Sequence, residues 1–241
     1  LKKVEDPMVK RYWLQEWKNL GRQEKSEYGG YVTSKLGRFI ENEMMRNIIG
    51  QRKSSFDFSK IMDEKKIFLA KLPKGVVGEM NISLLGLILI SKLYMAAMKR
   101  NNLPEDQRKD FYLYIDEFQN FTTDSISSIL SEARKYRLNM IMGHQYIPQL
   151  KEEIRDAVFG NVGTIASLRV GADDAEFLEK QFEPSFSSFD LVNLENYHTH
   201  IKMILNNQIS KPFKMSLFQP KKLYPEQVEK IKEIARLKYG K

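Results

Sequence analysis

Apolar residues change their spacing once along this chain of 241 residues, close to residue 60. Ahead of that point they recur at helical intervals. Asp6 stands as a candidate N-cap before Pro7, and Met8, Tyr12, Trp13 and Trp17 fall on one side of the helix that would follow. The polar, glycine-containing stretch GRQEKSEYGG (21–30) reads as a break. After it, SKLGRFIENEMMRNIIG (34–50) predicts a second helix, with Leu36, Phe39, Ile40 and Met44 on one stripe and Gly50 as its stop. Residues 1–60 are therefore expected to form a small all-α domain.

From residue 65 the runs become short and β-rich: KIFLAKL (66–72), FYLYID (111–116), LNMIMG (138–143), TIASLRV (164–170), THIKMIL (199–205) and PFKMSLF (212–218). Helix-sized segments separate the earlier ones, which is the pattern of a mostly parallel α/β sheet covered on both faces. The turn-like NNQISK between the last two suggests an antiparallel edge. Residues 61–241 are expected to be this α/β domain. Its longest apolar run, MNISLLGLILIS (80–91), is followed at once by Lys92; twelve residues are too few for a spanning helix, which needs ~20, so a core helix is predicted. The tail from Pro225 carries Val228, Ile231, Ile234 and Leu237 at helical spacing, with Gly240 near its end.

Composition is that of a folded globular chain, 42% hydrophobic and 29% charged, which excludes a disordered one. The absence of cysteine excludes disulfides and thiolate metal sites. A net charge of +8 makes polyanions, nucleic acid or an anionic membrane face, the natural partners to consider. The phosphate-contact candidates are Lys71 and Lys74 in KLPKG, with Arg46, Arg52 and Lys53 from the helical part; each is equally well an ordinary surface charge.

The chemistry concentrates after FYLYI. Asp116 and Glu117 follow a hydrophobic strand, where carboxylates are either solvent-facing turn residues or held for a reaction. Ligands of open α/β sheets sit beyond the carboxyl ends of strands. Two acids at that place form the Walker B pattern, in which the Asp holds Mg²⁺ through water and the Glu polarises the water attacking a γ-phosphate. Gln145 ends the next candidate strand, where its amide could reach the same crevice or simply begin a helix. Between the strands, Glu132, Arg134, Lys135 and Arg137 form a charged helix face, and a guanidinium there suits transition-state phosphate charge. His198 and His200 share one face of a strand but lack a third ligand at metal spacing, so a surface pair is expected. Asp173, Asp174 and Glu176 suit the acidic first turn of a helix.

Taken together, YIDEFQNF and ILSEARKYRLNMIMGHQYIPQL resemble the type IV secretion and conjugation coupling proteins of the TraD/TraG kind, in the HerA/FtsK branch of P-loop ATPases. The likeness continues through VFGNVGTIASLRVGADDAEFL (158–178) and SFDLVNLENY (188–197), and covers some 180 residues in all. It implies a RecA-like fold and an ATPase that uses ATP and Mg²⁺. On that footing Asp116 is the magnesium-associated acid, Glu117 the catalytic glutamate, Gln145 the polar sensor that touches nucleotide, and Arg134 the arginine reaching a neighbouring subunit's site. It also implies a homo-hexameric DNA translocase at the cytoplasmic face of the bacterial inner membrane, indifferent to DNA sequence, with a relaxase and the secretion channel as partners. A secretion-assembly or DNA-processing ATPase, and a non-catalytic ring component, are the alternatives. One departure is large: no G-x-x-x-x-G-K-[ST] loop occurs, since LPKGVVGEMN (72–81) has the glycines without Gly-Lys-Ser/Thr. In the family that loop precedes the all-α domain, so the chain is expected to start after it and to bind ATP weakly or not at all by itself.

Overall fold

Asp6 does start a helix, its carboxylate accepting the N–H groups of Met8 and Val9 ahead of α1 (Pro7–Arg11). The coordinates are a computed structural model and describe residues 4–122, 125–219 and 224–240. They divide into two units, Leu1–Ser54 and Ser55–Lys241.

In the first unit a π-helical turn (Tyr12–Glu16) and α2 (Trp17–Asn19) continue α1. Trp13 packs edge-on against both Tyr12 and Trp17, with ring centroids 5.5 and 5.2 Å away. The break predicted at 21–30 does not occur. Helix α3 runs from Arg22 to Ile40, straight through Gly29 and Gly30. Two helical glycines cost ~1 kcal/mol each relative to alanine. Against that, Glu24 reaches back to the Gly21 N–H at 2.7 Å, so the helix nucleates early. The interruption comes instead at 41–42, where the Asn42 side chain accepts the Met45 N–H and opens α4 (Glu43–Ile49). Of the predicted stripe, Leu36 and Met44 are exposed, and the Phe39 and Ile40 side chains lie outside the described residues.

The second unit begins with α5 (Phe58–Asp63), α6 (Lys74–Val77) and the long α7 (Glu79–Met98). Residues 66–72, predicted as a strand, lie in no helix or strand. The alternation survives, with Phe68 on the core and Ile67 and Leu69 exposed. Among the described residues no neighbouring strand takes up the backbone groups. Glu79–Asn102 is long and apolar enough to cross a membrane, with a mean hydropathy of 1.6. Here it is the core helix, burying Ile82, Ile90, Leu93 and Ala97.

β1 (Phe111–Ile115) and β2 (Leu138–Met142) pair in parallel, Phe111 opposite Leu138 and Ile115 opposite Met142. Between them α8 (Ser125–Glu132) ends in a 3₁₀ turn, Ala133–Tyr136. Next come α9 (Glu152–Asn161), β3 (Thr164–Ser167), α10 (Ala172–Phe182) and α11 (Ser188–Val192). They are followed by β4 (His198–Leu205), β5 (Gln208–Ile209), β6 (Phe213–Ser216) and α12 (Pro225–Tyr239). The class is α/β, but its antiparallel part is larger than the last two strands. β4 lies between β3 and β6 and is antiparallel to both. Ser167, the last residue of β3, pairs with His200 near the start of β4. The α10–α11 segment therefore returns the chain to the strand end it left, and no crossover is made. Asn206 and Asn207, both at positive φ, close the β4–β5 hairpin.

Two contacts hold the layer behind β1. Arg100 is buried; its Nε donates to Asp63 at 3.0 Å, and one terminal nitrogen donates to the Lys109 and Tyr136 carbonyls at 2.9 and 3.1 Å. From the 3₁₀ turn that follows α7 (Lys99–Asn102), the side chain thereby joins α5 and the turns that lead into β1 and β2. The other contact is Gly86, in mid-helix, which lets the Phe121 ring lie against the α7 backbone. A Cβ there would stand 2.2 Å from two ring carbons. Gly86→Ala gains ~1 kcal/mol of helix propensity, but overpacking costs ~1–3 kcal/mol. The expected net effect is a loss of up to about 2 kcal/mol in urea unfolding. Gly160→Ala, in α9 with nothing within 4 Å, should be neutral or stabilising. Equal behaviour of the two variants would show that Phe121 does not depend on that contact.

Candidate functional site

The turn after β1 is built by backbone bonds that continue beyond the ladder. Gly143 N–H donates to the Ile115 carbonyl at 2.8 Å, and Phe118 N–H donates to the Gly143 carbonyl at 3.0 Å. Phe118 and Phe121, on a 3₁₀ turn (Phe118–Phe121), anchor the far side in the core. Between these anchors Glu117 adopts the left-handed conformation, φ 51° and ψ 47°. A non-glycine residue is held there only when its surroundings over-determine it, and such residues cluster at functional sites. Asp116 is exposed and accepts the Glu117 N–H at 3.0 Å. A Cβ on Gly143 would come 3.3 Å from Asp116 Oδ1, so a larger residue would crowd that carboxylate.

Glu117 is held by two side-chain amides. Gln145 Nε2 donates to Oε1, and Gln119 Nε2 donates to Oε2 at 2.6 Å. Parallel pairing makes the first contact possible, because it brings the carboxyl ends of β1 and β2 side by side. The Asn120 side chain donates to the Glu117 carbonyl at 2.9 Å, and Lys74 Nζ donates to Asn120 Oδ1 at 3.0 Å. Lys74 also faces Glu79 at 3.9 Å. Asp116, Glu117, Asn120 and Lys74 form the polar end of a cavity of about 640 Å³ whose other walls include Leu89, Leu93 and Leu113. Two carboxylates with a lysine and amides at the mouth of a groove are a donor set that fits a hydrated Mg²⁺ and a phosphate.

Around this cluster, His144 is half-buried and its pKa is lowered, chiefly by burial. Asp174, in the first turn of α10, is buried and accepts the Ile147 N–H at 3.1 Å; burial raises its pKa. Its neighbour Asp173 accepts the Tyr146 hydroxyl at 3.1 Å, so the acids of α10 hold the loop that carries Gln145.

The other sequence candidates lie elsewhere. Arg134 is exposed on the 3₁₀ turn before β2, at the amino end of the sheet. Five strand residues, ~16 Å at ~3.3 Å per residue, separate that end from the carboxylates. Within one chain the structure does not bring Arg134 to Glu117. Lys71 is exposed in the second unit, whereas Arg46, Arg52 and Lys53 are exposed in the first. His200 is buried and stacked on Phe186 at 3.9 Å, and burial lowers its pKa; His198 contacts the Asn196 carbonyl. Among the described residues no three metal-ligating side chains gather. Gln119, Asn120 and His144 carry no sequence signal of their own beyond lying within a few residues of the acids and the sensor.

The family described as the TraM recognition site of TraD and TraG matches residues 110–181, the segment from the start of β1 to α10. No curated protein matches the sequence. Among solved structures, the chain is similar to the unbound bacterial conjugative coupling protein TrwBdeltaN70, at 17% identity and a TM-score of 0.46. It is likewise similar to plasmid coupling protein TrwB in complex with ADP and Mg²⁺, at 18% identity and a TM-score of 0.45. Both matches take in 59% of this chain, which spans 39% of the TrwB chains. A further likeness is to the genome packaging NTPase B204 of Sulfolobus turreted icosahedral virus 2 in complex with AMPPCP. There the identity is 14% and the TM-score 0.46, over 70% of this chain and 74% of that one.

Proposed function

We propose that the chain supplies the Walker B side of the nucleotide site in a RecA-like conjugative coupling ATPase that moves DNA toward a secretion channel. The observation that carries this reading is the Glu117 carboxylate, set on a left-handed turn at the carboxyl end of a parallel strand and met there by the Gln145 amide. In this reading Asp116 holds Mg²⁺ through its water shell. Glu117 polarises the attacking water, and Gln145 follows the state of the γ-phosphate. No G-x-x-x-x-G-K-[ST] loop occurs among these residues, so this reading requires a phosphate cradle supplied from elsewhere. Lys74, tied to Asn120, belongs with the nucleotide side. Lys71, Arg46, Arg52 and Lys53 remain the candidates for DNA phosphates. The family match at 110–181 makes a TraM-type relaxosome protein a partner to test, beside a relaxase, channel components and further copies in a hexameric ring at the inner membrane.

The test is DNA-stimulated ATP hydrolysis by the protein that carries both the phosphate loop and these residues, with DNA affinity measured against salt. Stimulation should be indifferent to sequence. With three to four phosphate contacts, affinity should fall roughly 10- to 200-fold between about 50 and about 200 mM salt. A strong preference for one sequence, with binding insensitive to salt, would overturn the translocase reading.

A further inference from the structure

We infer that Gln119 is a positioning residue for Glu117, kept in orientation by His144; the inference rests on the Walker B reading above. Glu117 sits on a turn near solvent, so its carboxylate needs side-chain contacts to hold one plane. Gln119 holds Oε2 from within the same turn, and Gln145 holds Oε1 from the end of β2. An ionised carboxylate has about four lone-pair sites, so two amide bonds leave room for a water.

An amide can present either end, and an ionised Glu117 accepts only the NH₂ end. That choice turns Gln119 Oε1 toward His144 Nδ1, 2.9 Å away. Nδ1 must then carry the proton and donate. In the neutral ring this leaves Nε2 as a bare acceptor, and that atom is buried without a hydrogen-bond partner. Burial disfavours a second proton on the ring, in keeping with a neutral imidazole. The two arms of the bracket therefore differ. Gln119 is half-buried and held at both ends of its amide, whereas Gln145 is exposed. The fixed arm sets the carboxylate plane, and the exposed arm is free to leave when nucleotide enters.

Two measurements test this. In this chain, ¹⁵N spectra of the imidazoles should show His144 as the Nδ1–H tautomer, and Gln119→Leu should release it toward Nε2–H. An Nε2–H ring in the unmodified chain would overturn the assignment. In the protein carrying the phosphate loop, Gln119→Leu should lower kcat about 10- to 100-fold, as misplacement of a reacting group does, with KM for ATP within about threefold. His144→Phe should do the same, and the double variant should lose no more than either single one. His144→Asn, which keeps an N–H donor, should recover part of the rate. Parallel losses in kcat, KM and stability would make Gln119 a folding residue only. Wild-type kcat in Gln119→Leu, alongside an inactive Glu117→Gln, would overturn this inference and leave the Walker B reading standing. An active Glu117→Gln would overturn both.

Discussion

Glu117→Gln, in the protein that carries the phosphate loop, is expected to lower ATP hydrolysis by about 10²- to 10⁴-fold, the range for a lost general base, while ATP still binds. The substitution keeps the length and shape of the side chain, and an amide tolerates the left-handed backbone at 117 no worse than a carboxyl does. Phe118 and Phe121 keep the turn anchored in the core, and the Gly143 backbone bonds do not involve the side chain. What is lost is an acceptor able to polarise water. One amide donor, from Gln119 or Gln145, would also face an NH₂ group in place of an oxygen. In the proposed site, binding rests on the phosphate loop and on Asp116, which the substitution leaves in place. Steady-state hydrolysis together with binding of a fluorescent ATP analogue separates the two effects. Unchanged turnover would remove the Walker B assignment.

Arg134→Ala should have an effect of similar size by another route. The exposed guanidinium belongs to the turn before β2 and the carboxylates to the turn after β1, at opposite ends of the parallel pair. A side chain so placed stays out of its own chain's site but is available to a neighbouring subunit. An arginine supplied across an interface can be worth ~10³ to 10⁵ in rate. The variant should therefore bind ATP and DNA nearly as well as the unmodified protein and hydrolyse little. Because the 3₁₀ turn is held by backbone bonds and by the buried Ala133, its stability should change by less than ~0.5 kcal/mol, as for other surface substitutions. Mixed with Glu117→Gln subunits, it should regain part of the activity, since one subunit then supplies the glutamate and its neighbour the arginine. Absence of rescue in verified mixed rings would reduce Arg134 to a surface charge.

The carboxylate site was legible wherever its determinants are local. FYLYI announces a buried strand, and two acids after it mark the strand's exposed end. LNMIM announces a second strand, and parallel pairing in register then brings Gln145 to Glu117 across 28 residues of sequence. Asp6 caps its helix as expected, whereas Asn42, which the pattern placed inside one helix, caps a new one.

Elsewhere the outcome depended on partners that a linear pattern does not contain. KIFLAKL has the composition of a strand, but a ladder needs a neighbour, and composition names none. Gly29 and Gly30 suggested a break, yet a capping interaction at Gly21 and the continuing turns carried the helix through them. The sequence by itself determined the α/β class, the position of the acids and the amphipathic tail, because these follow from spacing within a few residues. Only the tertiary structure decided that Gln119, itself held by His144, meets Glu117 opposite Gln145, that Lys74 stands at the same groove, that Gly86 makes room for Phe121 and that β3 pairs antiparallel. Each of these joins groups that meet through packing, register or burial, and such meetings are set by the whole fold and not by any one stretch of it.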